Sequence, residues 1–346
     1  LSRSEALAVL AACLRGEPPA EVDWDRIIPL ANESLTIAAL AAATRDIPEL
    51  PADVSVFFAE ILRRNAMRNR RLIEQLNEAS MILNAEGIFP VVKKGAAMLL
   101  SDAGSMEDRM VSDLDLIVPP VEMTRARIAL QRIGYGEAGG GGPAEAGILS
   151  RNRDVGMIDL HCRPRGPARF SGDAIFNRHS RQVRVAGGGG FIILPSPTLQ
   201  ILYLTLHDQF HDGDYWRGYV DLRHMIDTAR LAALPEGVDW DALRAVFSTR
   251  YACRAFIAQI TNASRLMGMA LPAEFGASRL ANLQYRRWLI QADRPWLAAL
   301  LSLATILLER PPRKHESERD RSAGTKVGRA RLHFQNLVRA RANGKI

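Results

Sequence analysis

Apolar positions recur at helical spacing through the first 84 residues. Residues 4–15 are rich in Ala and Leu with a serine at the start, residues 24–44 set apolar triplets at helical intervals, and residues 54–83 are long and charged along one face. The pattern changes at Gly87. Residues 88–92 (Ile-Phe-Pro-Val-Val) favour a strand, and Lys93-Lys94-Gly95 leads from it into a helix-forming stretch at 96–100. Further strands are predicted over 114–118, closed by Pro119-Pro120, over 156–161 and over 191–194, with a helix over 121–133. Two glycine runs, 139–142 and 187–190, lack the Lys-Ser/Thr of a phosphate loop and read as hairpin or loop tips. Helical period returns over 196–308, broken at Pro235-Glu-Gly237 and near Pro272. No repeat of fixed length is visible. The predicted fold class is therefore α+β: a small mixed α/β core at 85–195 between helical regions at 1–84 and 196–308, with a tail at 309–346.

Composition narrows the picture. At 346 residues, with 47% hydrophobic and 24% charged, the chain can bury a core of its own, and overall disorder is excluded. Cys13, Cys162 and Cys253 are odd in number and far apart, which argues against a disulfide framework or zinc ribbon and for a reducing compartment, the cytoplasm. The formal net charge of +7 resides entirely in residues 309–346, so the body is neutral and a nucleic-acid partner is not indicated. That basic segment reads as a solvated tail. No basic n-region followed by an uninterrupted apolar run opens the chain, as Glu5 and Arg15 bracket only a short Ala/Leu stretch. The strongest apolar run, the thirteen residues 296–308, is too short to cross about 30 Å of hydrocarbon and is expected to be a buried helix. The alternative is an interfacial helix followed by a basic tail, which is the one membrane contact left open.

Chemistry concentrates in Arg109-Met-Val-Ser112-Asp113-Leu-Asp115-Leu116. Carboxylates at i and i+2 of a strand point to one side, while Leu114, Leu116 and Val118 anchor the other. Two acids so close repel unless a cation lies between them, and a divalent ion is the natural occupant. The bland reading is a strand end with two solvated acids. Upstream, Lys94-Gly95-Ala96 sits where a strand gives way to a helix, whose first N–H groups can meet a phosphate and where glycine keeps a Cβ out of the way. Downstream, Asp159 lies inside an apolar strand, where an unpaired carboxylate is costly, and a neighbouring strand could bring it to the same cluster. His161 is on the same strand face as Asp159 and could orient a carboxylate or substrate. His207 and His211, at i and i+4, suggest a metal pair, but Asp208 follows His207 where a metalloprotease helix has Glu, and no third ligand is evident.

These elements together resemble the nucleotidyltransferase superfamily with the DNA polymerase beta-like palm. More narrowly they resemble a bacterial nucleotidyltransferase family that reads Lys-Gly, Arg-x-x-Ser-Asp-hydrophobic-Asp-Leu and hydrophobic-Asp-hydrophobic-His, here Lys94-Gly95, Arg109 to Leu116, and Ile158-Asp159-Leu-His161. A later His and Asp of that family match His207 and Asp221, so the resemblance spans roughly residues 60–230. One departure is Gly95-Ala96 in place of the usual Gly-Ser or Gly-Gly.

The resemblance implies a Mg²⁺- or Mn²⁺-dependent enzyme that moves a nucleoside monophosphate from a nucleoside triphosphate, such as ATP, to an acceptor hydroxyl or phosphate. Asp113, Asp115 and Asp159 would hold the ions, and Asp159 would also help deprotonate the acceptor. Lys94, Gly95, Arg109 and Ser112 would meet the nucleotide, although Arg109 could equally brace the aspartate loop, and His161, His207 and Asp221 would face the substrate. The partners implied are the triphosphate and a small-molecule or peptide acceptor. Two other readings remain: the same fold transferring a different group to a peptide or sugar, and a nucleotide-binding or interaction protein without turnover.

Overall fold

A computed structural model describes residues 1–101, 106–140, 147–275 and 278–309. Its centre is one sheet of seven strands: β1 (Val91–Lys93), β2 (Asp113–Ile117), β3 (Gly136–Gly140), β4 (Gly147–Ser150), β5 (Met157–His161), β6 (Ser180–Arg184) and β7 (Phe191–Pro195). Their order is β3-β4-β5-β2-β1-β7-β6. The β2–β5 and β1–β7 pairs are parallel and the others antiparallel, so the sheet is mixed, as the fold class predicted.

One side of the sheet is covered by the long helix Ala52–Ala85 and by Met123–Arg132, with Leu72, Leu76, Leu83 and Leu130 meeting Leu114, Leu116, Ile158, Leu160 and Ile192 in a shared apolar cluster. A second cluster joins the N-terminal helices to helices between residues 250 and 293. Helices Arg3–Leu14, Trp24–Glu33 and Ile37–Ala43 pack with Arg250–Met267 and Arg279–Asp293 around Leu10, Ile27, Leu40, Phe256, Ile260 and Trp288. The first and the last two of these helices have capped N-termini: Ser2 and Glu5 form a capping box, and Thr249 and Ser278 accept from backbone N–H groups three residues on.

Three expectations needed correction. The strands β3, β4 and β6 were not anticipated: of the run read as a hairpin or loop tip, Gly139 and Gly140 lie in β3, while Gly141 and Gly142 fall outside the described residues. β3 is glycine-rich and β6, Ser-Arg-Gln-Val-Arg, is a polar edge strand, so neither carries the β-branched alternation that marks a half-buried strand. The glycines at 187–190 do form the β6–β7 turn. Finally, the apolar run ending in helix Ala298–Glu309 is not buried: its inward face is made by Ser302 and Thr305, and four of its leucines are exposed.

Candidate active site

Asp115 sits between two neighbours in the sheet. Across the antiparallel ladder it faces Lys93 of β1, and across the parallel ladder it faces Asp159 of β5. Asp113 follows the same face of β2, while Leu114 and Leu116 point to the fully buried side. The start of β2 is fixed from behind by the helix Ala52–Ala85. Arg68 donates to the carbonyls of Val111, Ser112 and Val155, and Asn65 and Asn69 both donate to the Arg109 carbonyl. Gly156 is required here, since a Cβ would lie 2.6 Å from Leu72 Cδ2 and 2.9 Å from the Ser112 carbonyl oxygen.

These strand ends open onto a cavity of about 430 Å³ between the sheet and the helical body, lined by Lys94, Gly95, Arg109, Ser112, Asp113, Asp115, Asp159, Arg165, His207, Asp221 and their neighbours. His161 lies just behind that wall, hydrogen-bonding two of the carboxylates. All the residues predicted from sequence are thus brought to one place. Among the described residues, only Leu35 (φ 55°) and Lys94 (φ 52°) are non-glycines with positive φ, and both line this cavity. Such strain, of order 1–3 kcal/mol per residue, collects at functional sites.

Asp115 is nearly fully buried. Its Oδ1 accepts from Lys93 Nζ at 2.6 Å and lies 3.1 Å from Lys94 Nζ and 3.2 Å from His161 Nε2. Burial pushes its carboxyl up, but the ammonium groups of Lys94 and Lys93 and the His161 hydrogen bond more than reverse this and hold it well below the usual range. Burial draws Lys93 down to about 8 against the pull of Asp115. Asp159 Oδ2 meets His161 Nε2 at 3.0 Å and Arg165 Nη2 at 3.0 Å; against burial and the nearby Asp115, these partners keep its carboxyl below the ordinary value. Asp113, half-buried, accepts from Ser112 Oγ at 2.7 Å. Ligand atoms of Asp115, Asp159 and His161 lie within 4.8 Å of one another. Carboxylate oxygens converging on a polar cavity, balanced by Lys93, Lys94 and Arg165, fit a hard divalent cation such as Mg²⁺ or Mn²⁺.

The remaining predicted residues take distinct places. Arg109 is buried, and its guanidinium pairs with Asp227 at 2.8–3.1 Å while Nη1 donates to the Met110 carbonyl. Of its two roles open in the sequence, this is the brace. A Cβ on Gly95 would lie 3.0 Å from both Val111 methyls, so glycine is set there by packing of the helix Lys94–Leu100 on the approach to β2. Asp221 caps the helix Leu222–Ala232 and pairs with Arg223 at 2.8 Å. His207 lies on a π-helical turn, Leu206–Asp212, a distortion common at functional sites. Here the structure brings together a trio the sequence did not suggest: nitrogen and oxygen atoms of His207, Asp208 and His224, without His211, lie within 4.8 Å of one another.

Sequence reasoning overlooked Lys93, Arg165 and the Asp208–His224 pair, which meets at 2.8 Å. The signal for Lys93 was present, because a lysine ending an apolar strand beside an aspartate strand needs a counter-charge.

A mixed sheet that carries paired carboxylates on one strand and a third on its parallel neighbour, beside a strand-to-helix turn, is the arrangement expected of a nucleotidyltransferase-type α/β protein. Residues 20–268 match the model of a family described as an uncharacterised nucleotidyltransferase, and the chain belongs to that family. The crystal structure of an antigenic nucleotidyltransferase-like protein from Paracoccidioides brasiliensis is similar at 15% identity, covering 67% of this chain and 92% of that one with a TM-score of 0.31. No curated protein matches the chain.

Proposed function

We propose that this protein is a metal-dependent nucleotidyltransferase that moves a nucleoside monophosphate from a nucleoside triphosphate to an acceptor hydroxyl or phosphate. The observation that carries this reading is the row Lys93–Asp115–Asp159 across three adjacent strands, with Asp113 on the same face, opening onto the 430 Å³ cavity. Mg²⁺ or Mn²⁺, when bound, supplies neutralisation of the triphosphate and activation of the acceptor oxygen.

The chain's own residues do the rest. Asp113 and Asp115 present carboxylates from one strand and Asp159 from the next, and His161, within hydrogen-bond reach of both Asp115 and Asp159, fixes their orientation. Lys94, partly exposed at the cavity wall, is placed to meet phosphate oxygens. Asp159, held through Oδ2 by His161 and Arg165, completes the carboxylate set and is placed to help deprotonate the acceptor.

The test is incubation with Mg²⁺, an α-labelled nucleoside triphosphate and an acceptor-containing extract. Wild type should release pyrophosphate and pass label to an acceptor, and Asp115→Asn should do neither. Release of the γ-phosphate alone, or label transfer by Asp115→Asn at the wild-type rate, would count against the reading.

A further inference from the structure

The helix Ala298–Glu309 is amphipathic in the reverse of the usual sense. Its buried face carries hydroxyls: Thr305 Oγ1 and Ser302 Oγ accept from Arg287 at 2.7 and 3.3 Å, and Ser302 Oγ also lies 3.2 Å from the Arg217 carbonyl oxygen. The outward face carries Leu300, Leu303, Leu307 and Leu308, exposed at 60, 54, 72 and 84%. Trp296, 71% exposed, extends this stripe one turn earlier at i, i+4, i+7 and i+11 spacing. The preceding helix Arg279–Asp293 adds exposed Leu283 and Ile290. An exposed apolar stripe of this kind is expected to be covered.

The charges around it indicate the cover. Arg279 and Arg286 are exposed on the preceding helix and Arg294 just after it, and Asp293 is tied to Ser4 by hydrogen bonds of 2.7 Å. Immediately beyond, residues 309–346 carry a formal net charge of +7 on an otherwise neutral chain. A second copy of the chain meeting this face across a two-fold axis would bring two such positive segments together. An anionic bilayer surface satisfies both features, receiving leucines and a tryptophan at the headgroup boundary and attracting the basic segment. No described helix is long and apolar enough to cross a membrane. We infer that the outward face of helix Ala298–Glu309, with Trp296 before it and the basic segment after it, docks the protein peripherally on an anionic lipid bilayer.

The experiment is flotation of the full-length chain with vesicles of phosphatidylcholine alone or mixed with phosphatidylglycerol, at low and high salt, with light scattering of the free protein. Wild type should float with the mixed vesicles, less so at high salt and little with phosphatidylcholine alone. The double substitution Leu303→Glu/Leu307→Glu lies on exposed positions and should keep the wild-type thermal transition while lowering vesicle affinity by roughly tenfold or more. Undiminished flotation of that variant would assign binding to tail charge and overturn the inference. A wild-type dimer that the substitution dissociates, without vesicle binding by either protein, would overturn it in favour of self-association. These outcomes are independent of nucleotide chemistry, since no residue of the cavity is altered.

Discussion

Asp227→Asn is the perturbation that best separates a bracing Arg109 from a nucleotide-binding one. Asp227 is fully buried and Arg109 is 6% exposed, and three N–H···O contacts of 2.8–3.1 Å join them. The substitution conserves volume but leaves the guanidinium buried without its counter-charge, with one amide oxygen and the Met110 carbonyl as neutral acceptors and an NH₂ group facing its donors. Removing one partner of a buried pair costs about 3–5 kcal/mol, whereas replacing both with apolar groups is often nearly neutral. At about 2–3 °C per kcal/mol for a chain of this size, Asp227→Asn should lower the thermal midpoint by roughly 6–15 °C. Arg109→Met/Asp227→Leu should recover most of that loss and keep wild-type affinity for Mg²⁺–nucleoside triphosphate. Differential scanning calorimetry and titration calorimetry on the single and double variants read both quantities. A midpoint unchanged in Asp227→Asn, or a stable double variant that no longer binds nucleotide, would refute the bracing role.

Other outcomes follow from the same geometry. Because the Asp115 carboxyl is held below its unfolded value, the stability it contributes is present above about pH 4 and lost as pH falls through the folded value. Urea midpoints measured from neutral to acidic pH should therefore fall less steeply in Asp115→Asn, and equal slopes would contradict the assignment. Burial pushes the Cys13 thiol up to about 11, so in native protein at pH 8 a disulfide reagent should titrate Cys162 and Cys253 and reach Cys13 only on unfolding; rapid native reaction of all three would show that helix Arg3–Leu14 is not packed as described. Gly156→Ala, which must displace Leu72 or the Ser112 carbonyl, should destabilise by about 1–3 kcal/mol in a denaturant titration, and a neutral result would mean that the β2–β5 approach is looser than the structure indicates.

Much of this was legible in the sequence where periodicity and chemistry coincide. The strands around Asp113–Ile117 and Met157–His161 announce themselves by apolar alternation, and an aspartate inside each marks an exception that needs a partner. What could not be read is register. Only the folded sheet sets Asp159 opposite Asp115 and Lys93 on its other side, because β2 and β5 are separated in the chain by a helix and the β3–β4 hairpin, and their pairing depends on tertiary packing rather than local preference. The Arg109–Asp227 pair has the same origin, since its partners lie 118 residues apart. Helix Ala298–Glu309 fails for a different reason: a run in which nearly every residue is apolar has no period, so its inward face is decided by where Arg287 finds Ser302 and Thr305.

Metal-dependent nucleotide binding is read by titrating the wild-type chain and Asp113→Asn/Asp115→Asn with each nucleoside triphosphate, with Mg²⁺ and with the metal chelated. Heat of binding is expected from at least one triphosphate and should require both Mg²⁺ and the two carboxylates, with the variant still folded by circular dichroism at a lower thermal midpoint, since it leaves Lys93 buried without its carboxylate partner. Triphosphate binding of equal strength in the folded variant, or none by the wild type with any of the nucleotides, would contradict this expectation.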